Sequence, residues 1–203
     1  ICTGDDDEYD YEHYLNLALD LTGFTYVESL ELFDGDQGGN DEPGSPTPTM
    51  VASELNAGVG IINYTGHGSA TTWVSSGFSN SDVNNLTNDN MLPFIWSVAC
   101  VNGAFDGQTC FAESWMRATN GEAPTGAIGI FASTINQSWA PPMAGQDEMV
   151  DILVESYADN IKRTYGGLSV NGCHLMNDEY ADFAMTDTWT IFGDPSLLVR
   201  TDD

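Results

Sequence analysis

The sequence has very few basic residues for its many acidic ones. Its 203 residues include 31 Asp and Glu but only 4 Lys and Arg, so the formal net charge is −27. No base occurs before Arg117. Such a surface repels nucleic acid and anionic membranes, which excludes both as binding partners. Two explanations fit the charge itself: adaptation to high salt, or acidic clusters that bind cations such as Ca²⁺.

Cysteine is also scarce, and its spacing does not fit a structural metal site. The four residues are Cys2, Cys100, Cys110 and Cys173. None belongs to a Cys-x-x-Cys pair, which argues against a zinc knuckle. The spacing also differs from that of a small disulfide-stapled scaffold. A cysteine that served as a nucleophile would have to be free, which would leave an odd number for disulfides.

Long hydrophobic runs are absent too. No apolar run approaches the roughly 20 residues that a membrane-spanning helix needs, and no signal peptide begins at residue 1. The chain starts abruptly at Ile1-Cys2-Thr3-Gly4, which resembles the end of a strand, so we expect a fragment or a processed subunit of a longer protein. The length and the 41% apolar content are enough for one well-formed core.

Short apolar runs are present, and two of them end at chemically reactive residues. Val59–Tyr64 is followed by His67 between two glycines, and Leu92–Ala99 is followed by Cys100. Continuous apolar runs of this length predict strands buried on both faces of a parallel sheet, and ligands bind beyond the carboxyl ends of such strands. His67 and Cys100 are therefore candidates for a base and a thiol nucleophile. A lone Cys or a lone His in such a position more often has a structural role than a catalytic one.

Alternation of strand and helix signals predicts an α/β fold with a mainly parallel sheet. The other predicted strands are Thr25–Phe33, Gly126–Ser133 and Leu197–Val199, and the predicted helices are Tyr11–Leu21, Thr49–Asn56, Ser79–Leu86, Phe111–Arg117 and Asp147–Tyr157. Residues 34–49 carry turn-forming residues and predict an exposed loop. Its Asp34–Asp41 run resembles part of a calcium loop but lacks the terminal Glu of an EF-hand, so a solvated acidic loop is the preferred interpretation.

Six motifs occur in a fixed order, namely Asn63–Ser69, Leu92–Gly103, Cys110–Glu113, Ala132–Trp139, Gly145–Met149 and Asp187–Arg200. Together they resemble the gingipain cysteine peptidases (peptidase family C25), most closely the Arg-specific branch. The resemblance implies a caspase-like three-layer α/β sandwich, with a mainly parallel sheet flanked by helices. It also implies that residues 1–203 are the second, catalytic subdomain, and that the first subdomain and the C-terminal immunoglobulin-like module are absent.

The resemblance assigns the catalytic roles to the two strand ends. Cys100 matches the nucleophile of the family and His67 matches its histidine, which either pairs with the thiolate or protonates the leaving amine. A free thiol has a pKa near ~8.5 and needs such activation. The N–H groups of Gly68 and Cys100 are the candidate oxyanion hole. The nearest counterpart of the family's His-orienting acid is Asp5, although the loop is shorter here and the three acids that follow Asp5 are alternatives.

Cleavage after Arg needs an anion at the base of the S1 pocket, which receives the side chain of P1, the residue before the cleaved bond. In the family an Asp lies three residues before a His at the start of the first helix, and Asp10 and His13 have this spacing. Asp10 is therefore the predicted S1 carboxylate. Trp139 and Met143 match the aromatic and thioether walls that cover the P1 side chain, and a Trp face favours a cation. The alternatives are a solvated Asp10 and a core Trp139.

The resemblance thus implies a secreted or cell-surface cysteine endopeptidase that cleaves after Arg through a thioester acyl-enzyme, with no cofactor for catalysis. Its partners would be protein or peptide substrates with Arg at P1, and a separately cleaved N-terminal subdomain. Family members bind Ca²⁺ structurally, so a structural Ca²⁺ is compatible with this chain, but no metal ligands are assigned. Two alternatives are a sortase-like processing member of the family and a catalytically silent, acidic surface or assembly subunit.

Overall fold

The structure is a computed structural model that describes residues 8–24 and 26–200, with the backbone alone described for residues 8–10. Its helices are α1 Glu8–Phe24, α2 Pro48–Ala57, α3 Asn80–Val83, α4 Phe111–Arg117, α5 Ala140–Leu153, α6 Tyr165–Tyr180 and α7 Phe183–Thr188. Its strands are β1 Ile61–Thr65, β2 Gly68–Ser69, β3 Thr72–Trp73, β4 Phe78–Ser79, β5 Phe94–Val98, β6 Thr119–Asn120, β7 Ala123–Pro124, β8 Gly129–Ser133 and β9 Trp189–Gly193. None of the helices in this described part has the length and apolar character needed to span a bilayer.

The central sheet has the strand order β1-β5-β8-β9. Strands β1, β5 and β8 run parallel, and β9 pairs antiparallel with β8. Every residue of the three parallel strands is buried, as expected for strands covered on both faces. The predicted α/β class with a mainly parallel sheet is therefore confirmed.

Helices cover both faces of this sheet. Ile62, Ile95 and Ile130 point to the face that packs against α2, α3 and α4, whereas Trp96 and Phe131 point to the face that packs against α5 and α6. This alternation follows from the two-residue repeat of a strand. Helix α1 packs on the outside of α5 through a smaller apolar cluster. The predicted three-layer sandwich is thus confirmed.

The strand predicted at residues 25–33 does not form in its described part, which carries only a single bridge between Glu31 and Asp41. The carboxylate of Asp41 instead accepts hydrogen bonds from the N–H groups of Phe33 (2.8 Å) and Gln37 (3.0 Å). Asp41 is only 7% exposed. Its carboxylate therefore lies inside the loop, where the two hydrogen bonds hold the backbone of the loop in place. The interpretation of the loop as wholly solvated is corrected for Asp41.

Other predicted elements also differ from those in the structure, and α3, for example, spans only Asn80–Val83 of the predicted Ser79–Leu86. Helix α5 begins at Ala140 rather than Asp147, because its prolines stand in the first turn, where a missing N–H costs no hydrogen bond. The strand predicted at Leu197–Val199 is reduced to a single bridge between Thr164 and Leu198. Helix α6 lies in a stretch for which no element was predicted.

Candidate active site

The parallel pairing of β1 with β5 brings His67 and Cys100 to the same edge of the sheet. Thr65 is paired with Val98, and His67 and Cys100 each lie two residues beyond that pair. The N–H of Gly66 donates to the carbonyl of Val98 (3.0 Å) and extends the pairing past the strand end. The register of two buried strands therefore places the predicted base and nucleophile side by side.

The backbone of Gly68 lies directly against that of Cys100. A Cβ atom at Gly68 would stand 2.5 Å from the Cys100 carbonyl oxygen, 2.9 Å from the Cys100 nitrogen and 2.8 Å from the Ala99 Cβ. No residue with a side chain fits without movement of this backbone. The two N–H groups predicted to form an oxyanion hole thus belong to backbones in contact.

The main chain of His67 is held on both sides while its side chain stays exposed. Its N–H donates to Ser75 Oγ (3.0 Å), and its carbonyl accepts from the Tyr64 hydroxyl (2.8 Å) and from the Val74 N–H (2.8 Å). Tyr64 is itself fixed by stacking on Trp73. The imidazole is therefore exposed to solvent on a fixed backbone.

Cys100 is a free, half-buried cysteine whose Sγ lies 4.0 Å from the carbonyl oxygen of Gln137. The next residue, Val101, has φ +50°, a left-handed conformation that β-branched residues rarely adopt. Its N–H is fixed by the carbonyl of Ile135 (3.0 Å). Strained backbone of this kind clusters at functional sites, and here it lies just after the predicted nucleophile.

The buried side-chain amide of Asn102 holds the turn after Cys100 in place through hydrogen bonds. Asn102 Oδ1 accepts from Ser97 Oγ (2.9 Å), and Asn102 Nδ2 donates to the carbonyls of Ser69 (2.6 Å) and Thr72 (3.2 Å). Asn102 thus joins the cysteine turn to the β2–β3 hairpin that follows His67. The sequence prediction assigned no role to Asn102; the one local signal is that Asn102-Gly103 is a dipeptide typical of turns.

Trp139 precedes α5 and is half-buried. Its ring centroid lies 5.5 Å from that of His67, so the structure places it beside the predicted base. Met143 is 1% exposed and belongs to the core cluster against which Trp139 packs. It offers no open surface in this structure, and its role as a P1 wall stays a prediction.

The two predicted carboxylates of the site fall at the start of the chain. Asp5 and the side chain of Asp10 lie outside the described residues, so their roles stay predictions. The helix that carries Asp10 is nevertheless firmly attached. His13 is 6% exposed, with Nε2 at 2.9 Å from Gln146 Oε1 and Nδ1 at 2.8 Å from Asp147 Oδ1. Residues three apart share a helix face, so Asp10 lies on the same side of α1 as His13.

Accessibility separates Cys100 from the other described cysteines. Burial raises the pKa of the Cys110 thiol, and burial raises the pKa of Cys173 to about 12. A thiol must ionise and be reachable to act as a nucleophile. Cys100 is therefore the best-placed thiol in the described part of the chain.

No cofactor or metal centre can be assigned from the geometry. Within residues 8–24 and 26–200, no three or more His, Cys, Asp or Glu side chains converge as ligands for a metal ion. The predicted structural Ca²⁺ therefore stays a prediction without ligands. The chemistry available at the site is that of a thiol, an imidazole and backbone N–H groups.

Comparison with known proteins adds a family and close relatives. The family model described as Peptidase family C25 matches residues 4–200. The chain is 48% identical over 202 residues to Gingipain R2 of Porphyromonas gingivalis (strain ATCC 33277), covering 98% of this chain and 26% of that protein.

Two solved structures match over nearly the whole chain. The crystal structure of the Arg-specific cysteine proteinase gingipain R (RGPB) superposes with a TM-score of 0.88 at 46% identity, covering 98% of this chain and 47% of that one. The complex of Porphyromonas gingivalis RgpB pro- and mature domains gives a TM-score of 0.86 at 46% identity, covering 98% and 48%. The chain thus spans about half of these solved chains and about a quarter of the curated relative.

Proposed function

The chain belongs to peptidase family C25, and from this premise we propose that it forms the catalytic part of a cysteine endopeptidase that cleaves peptide bonds after Arg. The observation that carries the proposal is the pairing of Thr65 with Val98, which sets His67 and Cys100 at one sheet edge. The contact of Gly68 with the Cys100 backbone supports it further.

In the proposed mechanism, the thiolate of Cys100 attacks the carbonyl carbon of the P1 residue. The carbonyl electrons move to oxygen, and the N–H groups of Gly68 and Cys100 stabilise the oxyanion. His67 donates a proton to the departing amine as the C–N bond breaks, which leaves a thioester. Water then attacks the thioester while His67 accepts its proton. Collapse of the second tetrahedral intermediate releases the acid and restores the Cys100 thiolate beside the protonated His67.

The proposed P1 preference depends on three residues. Asp10 would pair with the guanidinium, and the ring of Trp139 would cover it, an arrangement that suits a flat cation. Met143 would support the wall from the core. The large negative charge of the chain would also raise the local concentration of cationic substrates. Asp5 is proposed, with its neighbouring acids as substitutes, to orient His67.

The proposal also covers the domain organisation, the partner and the location of the enzyme. We propose that residues 1–203 act as the second subdomain, with a separately cleaved N-terminal subdomain as partner and a secreted or cell-surface location. In the relative RgpB the pro- and mature domains form a complex, which is a precedent for association of this chain with another domain. A structural Ca²⁺ belongs to the same proposal, again without assigned ligands.

The test uses the whole natural protein and peptides that differ only at P1. Arg should be cleaved far faster than Lys or citrulline, because citrulline has the shape of Arg without its charge. Cys100→Ala should abolish cleavage, whereas Cys173→Ala, which removes a buried thiol on α6, should retain it. Equal cleavage after Arg and Lys, or activity that survives Cys100→Ala, contradicts the proposal.

Alkylation separates the remaining alternatives. An activated Cys100 should react with iodoacetamide faster than free cysteine does, and an Arg-like P1 inhibitor should protect it. A rate no higher than that of free cysteine would favour the silent acidic subunit. A reactive Cys100 combined with no preference for Arg at P1 would favour the sortase-like processing enzyme.

A further inference from the structure

Three elements that carry proposed site residues meet at one buried amide. Gln146, in α5, is 0% exposed. It lies between α1, which carries Asp10, and β1, which leads to His67. Its own helix, α5, is preceded by the N-cap residue Trp139, which lies about two helical turns before Gln146 and on the same side of the helix.

The hydrogen bonds of Gln146 fix its orientation. Its Nε2 donates to the carbonyl of Tyr64 (3.4 Å) and to Asn63 Oδ1 (3.3 Å). A backbone carbonyl only accepts, so the amide nitrogen must face β1. Its Oε1 then accepts from Thr65 Oγ1 (2.7 Å) and from His13 Nε2 (2.9 Å).

His13 continues the link to α1. Because Gln146 Oε1 is an acceptor, the Nε2 of His13 must donate to it. Its Nδ1 faces the carboxylate of Asp147 at 2.8 Å, which is also an acceptor. Both ring nitrogens are therefore engaged by α5, and the imidazole can neither rotate nor slide without breaking a bond. These two hydrogen-bonding contacts hold the first half of α1 against α5, in addition to the apolar packing of Tyr14 and Leu17.

We infer that Gln146 and His13 are positioning residues for the P1 site, which hold the start of α1, and Asp10 with it, at a fixed distance from β1 and α5. The inference rests on the proposed function, since it assigns Asp10 to the guanidinium. His13 follows Asp10 by about one helical turn, so a displacement at His13 is transmitted to Asp10 by a rigid helix.

A purely structural contact would not need this arrangement. Apolar residues of similar size join helices at least as stably as buried polar networks do, and polar networks specify geometry instead. Loosening the link at His13 should therefore weaken binding of the P1 side chain but leave the thiol chemistry intact. The expected signature is a rise in KM with little change in kcat.

The test variant is His13→Leu, made in the whole natural protein. It cuts the link on the α1 side and leaves the bond between Gln146 and Thr65 in place. For peptides with Arg at P1, we expect KM to rise about tenfold or more, because small displacements of positioned groups are costly, while kcat stays within about twofold. The alkylation rate of Cys100 should not change. His13→Gln, which retains a donor for Gln146, should restore most of the affinity.

Asn88→Leu provides a matched control. Asn88 is also 0% exposed and makes three hydrogen bonds, to the carbonyls of Met91 (2.8 Å) and Gly126 (2.9 Å) and to the Gly126 N–H (2.9 Å). It lies ahead of β5 and β8, at the opposite end of the sheet from the site. This variant should lower Tm without raising KM. Equal rises in KM for both variants overturn the positioning role.

Hydrogen exchange gives a readout that does not depend on cleavage. In His13→Leu, the amides of α1 should exchange faster than in the wild type, and in Asn88→Leu they should not. Exchange in α1 that stays at the wild-type rate overturns this inference alone. A wild-type protein that does not prefer Arg at P1 overturns the proposed function instead, so the two failures are distinguishable.

Discussion

The backbone of Gly68 touches that of Cys100 so closely that no side chain fits between them. Gly68→Ala should therefore push the two proposed oxyanion donors apart and lower kcat by about 100-fold or more, the usual effect of losing one such donor. Kinetic assays on the whole protein measure this change. Gly60→Ala is the matched control, because a Cβ there meets nothing within 4 Å. Full activity in Gly68→Ala would contradict the proposed oxyanion hole.

At the same scale, some site residues could be predicted from the sequence and others could not. His67 and Cys100 follow uninterrupted apolar runs, so local pattern alone marks them as strand ends. Gln146 bonds to Thr65 and His13 across separations of 81 and 133 residues, and no local pattern encodes such partners. Positioning groups are defined by tertiary contacts, which is why their roles became visible only in the structure.

At the scale of elements, α6 shows why a helix rich in glycine is difficult to predict from the sequence. It contains Gly166, Gly167 and Gly172, and each Gly weakens a helical signal because it costs about 1 kcal/mol relative to Ala. The structure explains Gly172 by its contact with α5: a Cβ there would lie 2.4 Å from the carbonyl oxygen of Gly145. The glycine allows α6 to pack tightly on α5, the helix that carries Gln146.

The close contact between α5 and α6 leads to a stability prediction. Gly172→Ala should lower the free energy of unfolding by about 1–3 kcal/mol or more through overpacking, despite the better helix propensity of Ala. The same substitution at Gly23 in α1, where a Cβ meets nothing within 4 Å, should raise it by about 0.4–1 kcal/mol. Urea unfolding monitored by circular dichroism measures both. Two changes of the same sign would contradict this account of the helix contact.

At the scale of the whole molecule, the few bases strengthen particular contacts and do little to neutralise the surface. Arg163 and Arg200 both pair with Glu155, just after α5. Arg200 is 5% exposed, donates to the carbonyl of Leu153 (2.7 Å) and lies over the ring of Phe24. These contacts fasten the end of the described chain to α5 and α1. Most acids in the described ranges therefore have no Lys or Arg partner. The net charge of −27 destabilises the fold through repulsion between these carboxylates.

This charge distribution predicts an unusual response to pH. Burial raises the pKa values of Asp20, Glu31 and Glu148, with neighbouring acids adding to the effect. A folded-state pKa above the unfolded value means that the folded state binds more protons, so stability falls as pH rises through the folded pKa. Lowering the pH from 7 to about 5 should therefore raise Tm, and the smaller net charge adds in the same direction.

Differential scanning calorimetry at fixed ionic strength measures this slope. Glu31→Gln should flatten it, because Glu31 is 6% exposed and its ionisation opposes folding beside Asp41. Asp194→Asn removes the same charge as a control. Hydrogen bonds from Ser196 hold the pKa of Asp194 below its ordinary value of 3.8, so that carboxylate titrates below this pH range and its loss should leave the slope unchanged. If Tm instead decreases as the pH is lowered from 7 to about 5, other groups whose protonation destabilises the fold outweigh these buried acids.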